Sequence, residues 1–395
     1  MDINQKLREK AEQNKEEITE VLCELLKFKS ITGTEEEKEA VEYIKSKMEE
    51  YDYDDVFVDS IGNIVGKVGD GPKTIVYDAH IDIVDAQEDN WSTDPFDPVV
   101  KDGEIFGRGA MDCKGPLVAM LFGGKLMKEL DVTDEYTIYI VGSVSEETCE
   151  GLATASFIDE YNLDPEQVVI AEASDLKICY GHRGRAVVEA TFSGTPVHAS
   201  RHYEGDNPLD KALPFAQAVS ELDQNLPEDD VLGKGNIVAT TIETDNSSVN
   251  TVAAKCRVLM DRRMVTCDSR ESVIEELREL PNGDKAELSF VMYEDESYNG
   301  YKKKGEEFFP AWVMDPEHEL IKAGEKTYTE LFDEEPTVSV WGFSTNGTYT
   351  MGDAQIPTLG FGPGKEEYCH GADERVEIDS MVKAAAFYAA LPSYL

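Results

Sequence analysis

A histidine and several carboxylates stand at the ends of apolar stretches, with the spacing expected of metal ligands. His80 closes an apolar run and Asp82 follows two residues later, Asp112 lies in a glycine-flanked turn, and Glu146-Glu147 comes after another apolar run. Since side chains alternate along a strand, Asp82 is expected on the same side as His80, with its carboxylate holding the far imidazole nitrogen. The pattern predicts part of a hydrolytic metal centre, in which His80 binds the metal and Asp82 orients His80.

Further carboxylates and a second histidine follow later apolar stretches. Because Glu146 and Glu147 are adjacent, their side chains must point to different sides, so that one can bind a metal while the other faces a bound water. Glu172 ends another short apolar strand, and His370 follows the tight turn Gly362-Pro363-Gly364. Such a set of nitrogen and oxygen ligands suits zinc or cobalt better than magnesium, which prefers oxygen alone.

The acidic composition leaves other interpretations of these residues open. The chain has 81 Asp and Glu residues among 395 but only six His, so a carboxylate at any one position is weak support for a metal site. His80 could be a strand-end histidine satisfied by a neighbouring acid. Asp112 could cap the helix that follows it, and Glu146-Glu147 could be a solvated acidic turn. The two histidines therefore carry more weight than the carboxylates.

Length and composition restrict the class of protein. A chain of 395 residues is too long for one compact core of ordinary size, so two domains are expected. No apolar run approaches the span of a bilayer and the charged start lacks a signal-peptide core, which predicts a cytoplasmic protein. The net charge of −44 argues against nucleic-acid and anionic membrane partners, since both present phosphate groups. A high-salt habitat and simple high solubility both remain open as explanations of this charge.

The cysteines indicate free thiols. There are seven, an odd number without a Cys-x-x-Cys pair, which suits a reducing compartment better than a disulfide framework. Two of them, Cys113 and Cys369, stand beside the candidate ligands Asp112 and His370. They could bind metal themselves, but packed thiols are the preferred interpretation.

Strands and helices alternate in the first part of the chain. Thr34 to Glu37 has the form of a capping box at a helix start. Residues 116–130 have the pattern of an apolar-faced helix with a proline near its first turn, between predicted strands 74–79 and 136–144. This order predicts an α/β sandwich with a largely parallel sheet, and the strand ends of such sheets are where ligands are expected.

From Arg185 the order changes to strand, helix, two strands, helix and strand, which is the ferredoxin-like order β-α-β-β-α-β. Helical and apolar segments of the first kind resume after residue 307, so the second domain is expected to be inserted into the first. We predict a catalytic domain of residues 1–184 and 294–395 and an inserted domain of residues 185–293. The predicted elements of the inserted domain are 186–193, 208–222, 236–244, 253–263, 269–280 and 286–293.

Taken together, these motifs resemble those of the zinc-dependent amidohydrolases and exopeptidases that include acetylornithine deacetylase, succinyl-diaminopimelate desuccinylase, aminoacylase and the glutamate carboxypeptidases. The resemblance covers nearly the whole chain. The segment Trp341 to Gly347 looks most like the branch of selenium-metabolism-linked hydrolases, although Thr345-Asn346 stands where many members have Thr-Asp. The matching motifs, in order, are His-x-Asp at 80–82, Gly-Arg-Gly-Ala-Met-Asp-x-Lys-Gly at 107–115, Glu-Glu at 146–147, Glu172, Gly-x-x-x-His at 194–198, Asn250, Asp-Arg-Arg at 261–263, and Gly-Pro-Gly before His370.

This resemblance implies a role for each candidate ligand. It implies two divalent metal ions, zinc first, with cobalt or manganese as alternatives. One ion would be held by His80, Asp112 and Glu172, and the other by Asp112, Glu147 and His370, so that Asp112 bridges the pair. The adjacent Glu146 would be the general base.

The resemblance also assigns residues to the substrate and to a partner subunit. His198 would reach from the inserted domain into the cleft of a neighbouring subunit and stabilise the oxyanion, which implies a homodimer formed through that domain. Asn250 and Arg263 would hold a substrate carboxylate, which a guanidinium group matches well. Strand alternation allows only one of Arg262 and Arg263 to face the cleft. The remaining candidates, interpreted as bystanders, are His182 and His202.

The function expected is therefore hydrolysis of an amide bond in a small N-acyl amino acid or dipeptide that bears a carboxylate. The alternative is a metal-binding scaffold protein that keeps the fold without turnover. Glu146 favours the enzyme, because a non-catalytic relative has no need of the acid that moves protons. A serine hydrolase is not supported, since the chain has no Gly-x-Ser-x-Gly.

Overall fold

The computed structural model describes residues 2–133, 135–302 and 304–395. The helices are α1 (Ile3–Gln13), α2 (Lys15–Leu26), α3 (Glu35–Glu50), α4 (Lys114–Leu130), α5 (Leu152–Glu160), α6 (Leu209–Asn225), α7 (Arg270–Arg278), α8 (Glu319–Phe332) and α9 (Ile378–Ala390). The strands are β1 (Asp55–Val58), β2 (Ile64–Val68), β3 (Lys73–His80), β4 (Val99–Lys101), β5 (Glu104–Phe106), β6 (Tyr136–Ser143), β7 (Gln167–Ile170), β8 (Ile178–His182), β9 (Gly184–Ser193), β10 (Glu228–Asp229), β11 (Gly233–Lys234), β12 (Asn236–Thr244), β13 (Lys255–Met264), β14 (Ala286–Phe290), β15 (Met292–Tyr293), β16 (Gly305–Glu306), β17 (Phe308–Phe309), β18 (Trp312–Val313), β19 (Val338–Trp341), β20 (Thr358–Gly360) and β21 (Arg375–Glu377). The predicted α/β class is confirmed.

The larger sheet has nine strands in the order β1-β2-β6-β3-β7-β20-β8-β18, with β19 also beside β8. Its centre is parallel: β3 runs parallel to both β6 and β7, and β20 runs parallel to β7. The β1-β2 hairpin and strand β18 join antiparallel. The sheet is therefore less parallel than the sequence led us to expect, because short connections such as the one between β1 and β2 permit only antiparallel pairing.

Strand β3 shows how the layers form around this sheet. Alternate side chains of a strand point to opposite faces, and here Tyr77 packs into the core shared with α4 and α9 while Val76 packs into a second core with Phe157 of α5. A Cβ atom at Gly123 of α4 would lie 2.8 Å from Cβ of Tyr388 in α9. Glycine at this position therefore allows the two helices to approach closely, and helices cover both faces of the sheet.

The parallel strands bring the candidate ligands to one edge of the sheet. β3 ends at His80, the pair Glu146-Glu147 follows shortly after the end of β6, and Glu172 comes two residues after the end of β7. Because these three strands are neighbours and run in the same direction, their carboxyl ends meet. The sheet thus positions residues that lie far apart in the sequence.

The second sheet has the strand order β12-β13-β9-β14, and β17 pairs with β9 as well. Helices α6 and α7 pack on it through a separate core that includes Phe192, Phe215 and Leu277. Along the chain this gives β9, α6, β12, β13, α7 and β14, the order predicted for the inserted domain. One strand of this sheet, β17, comes from beyond residue 293, so the sheet draws on both of the predicted segments. The exact limits of the inserted domain remain a prediction.

Two local features differ from the sequence prediction. At the start of α3, the Thr34 side chain accepts a hydrogen bond from the Glu37 backbone N–H, but the Glu37 carboxylate accepts from Gly33 rather than from Thr34. The predicted strand 286–293 is divided into β14 and β15. Among the described residues, no helix combines the length and the apolar character needed to cross a membrane.

Candidate metal centre

His80 is buried at the end of β3 with its two ring nitrogens in different surroundings. Nδ1 lies 2.9 Å from the backbone carbonyl oxygen of Asp82. Nε2 lies 3.0 Å from Oδ1 of Asp112 and 3.4 Å from Oε1 of Glu172. A carbonyl oxygen can only accept, so Nδ1 carries a proton, while Nε2 is the nitrogen that faces the carboxylates. With Nδ1 held in this way, Nε2 is the nitrogen through which His80 can bind a metal.

Asp82 orients His80 through its main chain rather than through its carboxylate. The nearest carboxylate oxygen, Oδ1, is 3.6 Å from Nδ1 of His80. The carboxylate instead accepts hydrogen bonds from the backbone N–H groups of Glu146 and Glu147, each at 3.2 Å, and from the Thr32 hydroxyl at 2.8 Å. Strand alternation failed to predict these contacts because β3 ends at His80. Asp82 thus links the histidine to the loop that carries the two glutamates.

Asp112 lies between the two histidines. Its Oδ1 is 3.0 Å from Nε2 of His80, and its Oδ2 is 3.3 Å from Nε2 of His370. It is not the N-cap of α4, since that position belongs to Cys113, and the peptide bond between the two residues is cis. A carboxylate that presents one oxygen to each of two imidazoles has the arrangement of a ligand shared by two cations.

The turn that carries Asp112 is held by two residues that the sequence analysis did not single out. Glu374 accepts hydrogen bonds from the backbone N–H groups of Asp112, Met111 and Gly109 at 2.9–3.1 Å. It also forms a buried ion pair with Arg108, with 2.6 Å between Nη1 and Oε2. No local pattern distinguishes Glu374 from the many other acids of this chain, whereas Arg108 stands inside the motif already noted.

Two further carboxylates, Glu146 and Glu147, lie beside the histidines and complete a cluster with His80, Asp112, Glu172 and His370. Glu147 Oε2 is 3.0 Å from Nε2 of His370, and Glu146 Oε2 is 3.9 Å from Nε2 of His80. The other oxygen of Glu147, Oε1, is buried and has no hydrogen-bond partner among the described residues. A buried carboxylate oxygen without a donor is costly. A cation at this position would satisfy it, so the residues present fit a metal centre.

The electrostatics of the cluster support the same conclusion. Burial raises the pKa of Glu172 to about 8 and raises the pKa of Glu146 well above its ordinary value. Hydrogen bonds to Asp112 and Glu147 raise the pKa of His370 to about 10. These shifts favour the protonated forms of the side chains, which lowers the negative charge of the buried cluster. Divalent cations would offset the same charge and leave the ligands deprotonated.

Two thiols lie close to the cluster in different surroundings. The Cys113 thiol donates a hydrogen bond to the Ala171 carbonyl oxygen at 2.9 Å and is fully buried. The Cys369 thiol instead donates to Oδ2 of Asp112 at 2.7 Å. Cys113 thus has the packed position expected of it, whereas Cys369 contacts a candidate metal ligand directly.

Asn346 stands where many proteins with the resembling motifs have an aspartate, and it contacts residues near the ends of β3 and β6. Its amide group donates to Oδ1 of the buried Asp78 at 2.8 Å and to the Ser143 hydroxyl at 3.0 Å. Its carbonyl oxygen accepts from the Gly151 backbone N–H at 2.7 Å. Asn346 therefore joins the ends of β3 and β6 to the loop before α5, and an aspartate here would place a second carboxylate against Asp78.

The candidate substrate residues divide into two groups along β13. His198 is exposed, pairs in a β-bridge with Thr251 and so lies beside Asn250, near the start of β13. Arg263 lies near the other end of β13, eight residues or about 27 Å of strand from its first residue Lys255, and pairs with Asp261 at 2.8 Å. Within one chain, His198 and Asn250 thus lie together and Arg263 lies apart from them.

Arg262 and His182 have the contacts of structural residues, and His202 lies at the surface. Arg262 is fully buried, with ion pairs to Asp268 at 2.8 Å and Glu276 at 3.4 Å, so Arg263 is the arginine that solvent can reach. His182 is buried against Trp312 and hydrogen-bonded through Nδ1 to the carbonyl oxygen of its neighbour. His202 is exposed on the surface.

A mixed α/β fold with this cluster of histidines and carboxylates at its strand ends defines a metal-dependent hydrolase. The sequence model described as Peptidase family M20/M25/M40 matches residues 76–393. YgeY, an uncharacterized protein of Escherichia coli (strain K12), is 36% identical over 387 residues, which are 97% of this chain and 96% of that protein. The chain therefore belongs to Peptidase family M20/M25/M40, and it is a hydrolase acting on amide bonds.

Two further similarities lie at lower identity. A Staphylococcus aureus (strain MSSA476) protein that carries the name probable succinyl-diaminopimelate desuccinylase is 27% identical, covering 89% of this chain and 91% of that protein. The solved structure of the Saccharomyces cerevisiae di-peptidase Dug1p superposes with a TM-score of 0.73 at 17% identity, covering 100% of this chain and 99% of that one. The latter similarity shows the fold alone.

Proposed function

We propose that this protein hydrolyses the amide bond of a small N-acyl amino acid or dipeptide-like substrate at a centre for two divalent metal ions. The observation that carries the proposal is the position of Asp112, whose two oxygens face His80 at 3.0 Å and His370 at 3.3 Å. In this arrangement Glu172 completes one set of ligands and Glu147 completes the other. Zinc suits this mixture of imidazole and carboxylate ligands, and cobalt or manganese are the alternatives.

Metal ions, when bound, supply Lewis-acid activation of a water molecule and of the substrate carbonyl group. The protein supplies the proton transfers. Glu146 is buried at the edge of the ligand set, with Oε2 3.9 Å from Nε2 of His80, and it takes no part in the two ligand sets. Its carboxylate accepts a proton from the attacking water and returns that proton to the leaving amine nitrogen. Glu146 is thus the general base and then the general acid.

Substrate binding is assigned to the second sheet and to a second subunit. His198 and Asn250 lie together in exposed segments that connect elements of the inserted domain, where they are available to another copy of the chain. We infer a homodimer through the inserted domain, residues 185–293, in which His198 stabilises the oxyanion in the partner's cleft. Arg263, partly exposed at the other end of β13, and Asn250 would hold the substrate carboxylate from two different subunits, since they lie apart within one chain.

Two finer points stay predictions. The cytoplasmic location and the likeness to selenium-metabolism-linked hydrolases rest on the sequence alone. Neither is needed for the reaction proposed here.

The proposal is tested on chelated protein that is reloaded with zinc, cobalt or manganese. Each form is assayed with N-acetyl amino acids, N-succinyl amino acids and dipeptides, and metal content is measured in the same samples. We expect about two metal ions per chain and turnover of one substrate group, with none in the chelated protein. Binding of two ions without turnover of any of these substrates would overturn the proposed substrate class, and binding of one ion would contradict the shared position of Asp112.

A further inference from the structure

Two consecutive residues converge on one oxygen of the candidate metal centre. The Cys369 Sγ atom lies 2.7 Å from Oδ2 of Asp112, and Nε2 of His370 lies 3.3 Å from the same oxygen. The three ligand atoms all lie within 4.8 Å of one another. Zinc binds thiolate at about 2.3 Å and imidazole or carboxylate at about 2.0–2.2 Å, so one ion can contact all three after small side-chain movements.

A second observation places a cation on this side of the centre. Glu147 has only 8% of its side chain exposed, and its Oε1 atom has no hydrogen-bond partner among the described residues. Its Oε2 atom lies 3.0 Å from Nε2 of His370. A buried carboxylate with one oxygen unsatisfied beside an imidazole, a thiol and a second carboxylate has the composition of a ligand set.

We propose that Cys369 is a further metal ligand, binding through Sγ the ion that Asp112, Glu147 and His370 hold. This inference rests on the proposed function. On binding, the thiol loses its proton to solvent and a metal–sulfur bond replaces the S–H bond. The second ion is then held by one nitrogen, two oxygens and one sulfur.

The other thiol near the centre has a different acceptor. Cys113 forms a comparable group with His80 and Glu172, whose ligand atoms also lie within 4.8 Å of one another, but its Sγ has the Ala171 carbonyl oxygen as an acceptor at 2.9 Å in addition to its contact with Glu172. Cys369 has Asp112 as its hydrogen-bond acceptor, which is itself a ligand. Cys113 is therefore the matched control for Cys369, since both are poorly exposed thiols next to a candidate ligand in the sequence.

A sulfur ligand changes the metal preference of the site. Thiolate is a soft ligand that favours zinc and cobalt over manganese, whereas carboxylate oxygen suits manganese. Loss of a hydrogen-bond partner of a metal ligand costs up to about 100-fold in affinity. Loss of a ligand itself should cost at least as much, so we expect Cys369→Ser to weaken zinc binding at one of the two sites by at least about 100-fold. Manganese binding should change much less, so the ratio of zinc to manganese affinity falls.

The test is a titration of the chelated full-length protein with cobalt(II) under reducing conditions, followed by absorption spectroscopy. Thiolate bound to cobalt gives a charge-transfer band in the near ultraviolet, while oxygen and nitrogen ligands give only the weaker visible bands. We expect this band in the unmodified protein and in Cys113→Ser, and its loss in Cys369→Ser and Cys369→Ala. Serine keeps a hydroxyl donor for Asp112, so loss of the band in Cys369→Ser cannot be due to a missing hydrogen bond.

The outcomes separate this inference from the proposed function. Visible cobalt bands without a charge-transfer band would overturn the role of Cys369 and leave the metal centre intact. Persistence of the band in Cys369→Ser would also overturn the role of Cys369. So would zinc affinity that is unchanged in Cys369→Ser and lowered only in Cys369→Ala. Absence of any cobalt binding would overturn the metal centre itself.

Discussion

Glu374 holds the backbone of Asp112 in place, with 3.1 Å between the Asp112 backbone nitrogen and Oε1 of Glu374. The two residues are 262 positions apart in the chain. The same carboxyl group is fully buried and pairs with Arg108. The direction of the carboxylate that faces both histidines therefore depends on a residue that is hydrogen-bonded to neither of them in the described part of the chain.

The first prediction concerns this positioning role. Glu374→Gln removes the charge that pairs with Arg108 and weakens the hold on the Asp112 turn, so we expect metal affinity to fall about 10- to 100-fold. Isothermal titration calorimetry with zinc measures the change. Glu377→Gln is the control, because Glu377 is an exposed acid of the same segment. Equal affinities in the two variants would show that the turn holds its shape without Glu374.

The second prediction separates proton transfer from metal binding. Glu146→Gln keeps the size of the side chain but cannot accept the proton from water, so we expect turnover to fall by about 10²- to 10⁴-fold. The metal content should stay unchanged, because Glu146 belongs to neither proposed ligand set. Activity and metal analysis of the same preparation test both points, with the exposed Glu39→Gln as control. Unchanged turnover would remove Glu146 from the mechanism.

The third prediction is a pH dependence of stability that arises from His182, which belongs to neither proposed ligand set. Burial lowers the pKa of His182 from its usual 6.5 to about 4. The unfolded chain therefore binds more protons than the folded chain between these values, so stability falls as the pH drops from about 6.5 to about 4 and this contribution is constant below that. The shift corresponds to about 3 kcal/mol.

Denaturant unfolding at pH 7 and at pH 4 measures this effect. His182→Gln removes the titrating group, so this variant should lose about 3 kcal/mol less than the unmodified protein over the same interval. His202→Gln, at an exposed position, should behave like the unmodified protein. If all three lose the same free energy of unfolding, His182 accepts its proton without cost in the folded state.

The fourth prediction follows from the net charge of −44. Repulsion among carboxylates destabilises the compact state, and salt screens it over a Debye length of about 10 Å at 0.1 M and about 3 Å at 1 M. We expect the melting temperature to rise by at least about 4 °C between these concentrations of potassium chloride, which corresponds to more than about 1 kcal/mol. Sucrose at matched osmolality is the control. A melting temperature that does not change with salt concentration would favour simple solubility over a high-salt habitat as the reason for the acidity.

The sequence was sufficient for the features that depend on local order. Short apolar runs predicted β3 and β6 closely, and the rarity of histidine made His80 and His370 informative among so many acids. The order of elements also predicted the second sheet with its two helices. These features could be predicted because the period of a strand or a helix is set by neighbouring residues in the chain.

Only the tertiary structure decided how the ligands are held. The pairing of Glu374 with Arg108, the contact of Cys369 with Asp112 and the amide of Asn346 against Asp78 all join residues more than 250 positions apart. The structure also showed that Asp82 meets His80 through its backbone carbonyl oxygen. Such contacts depend on where several strands and loops end in space, and the pattern of a single segment carries no information about the segments that will lie beside it.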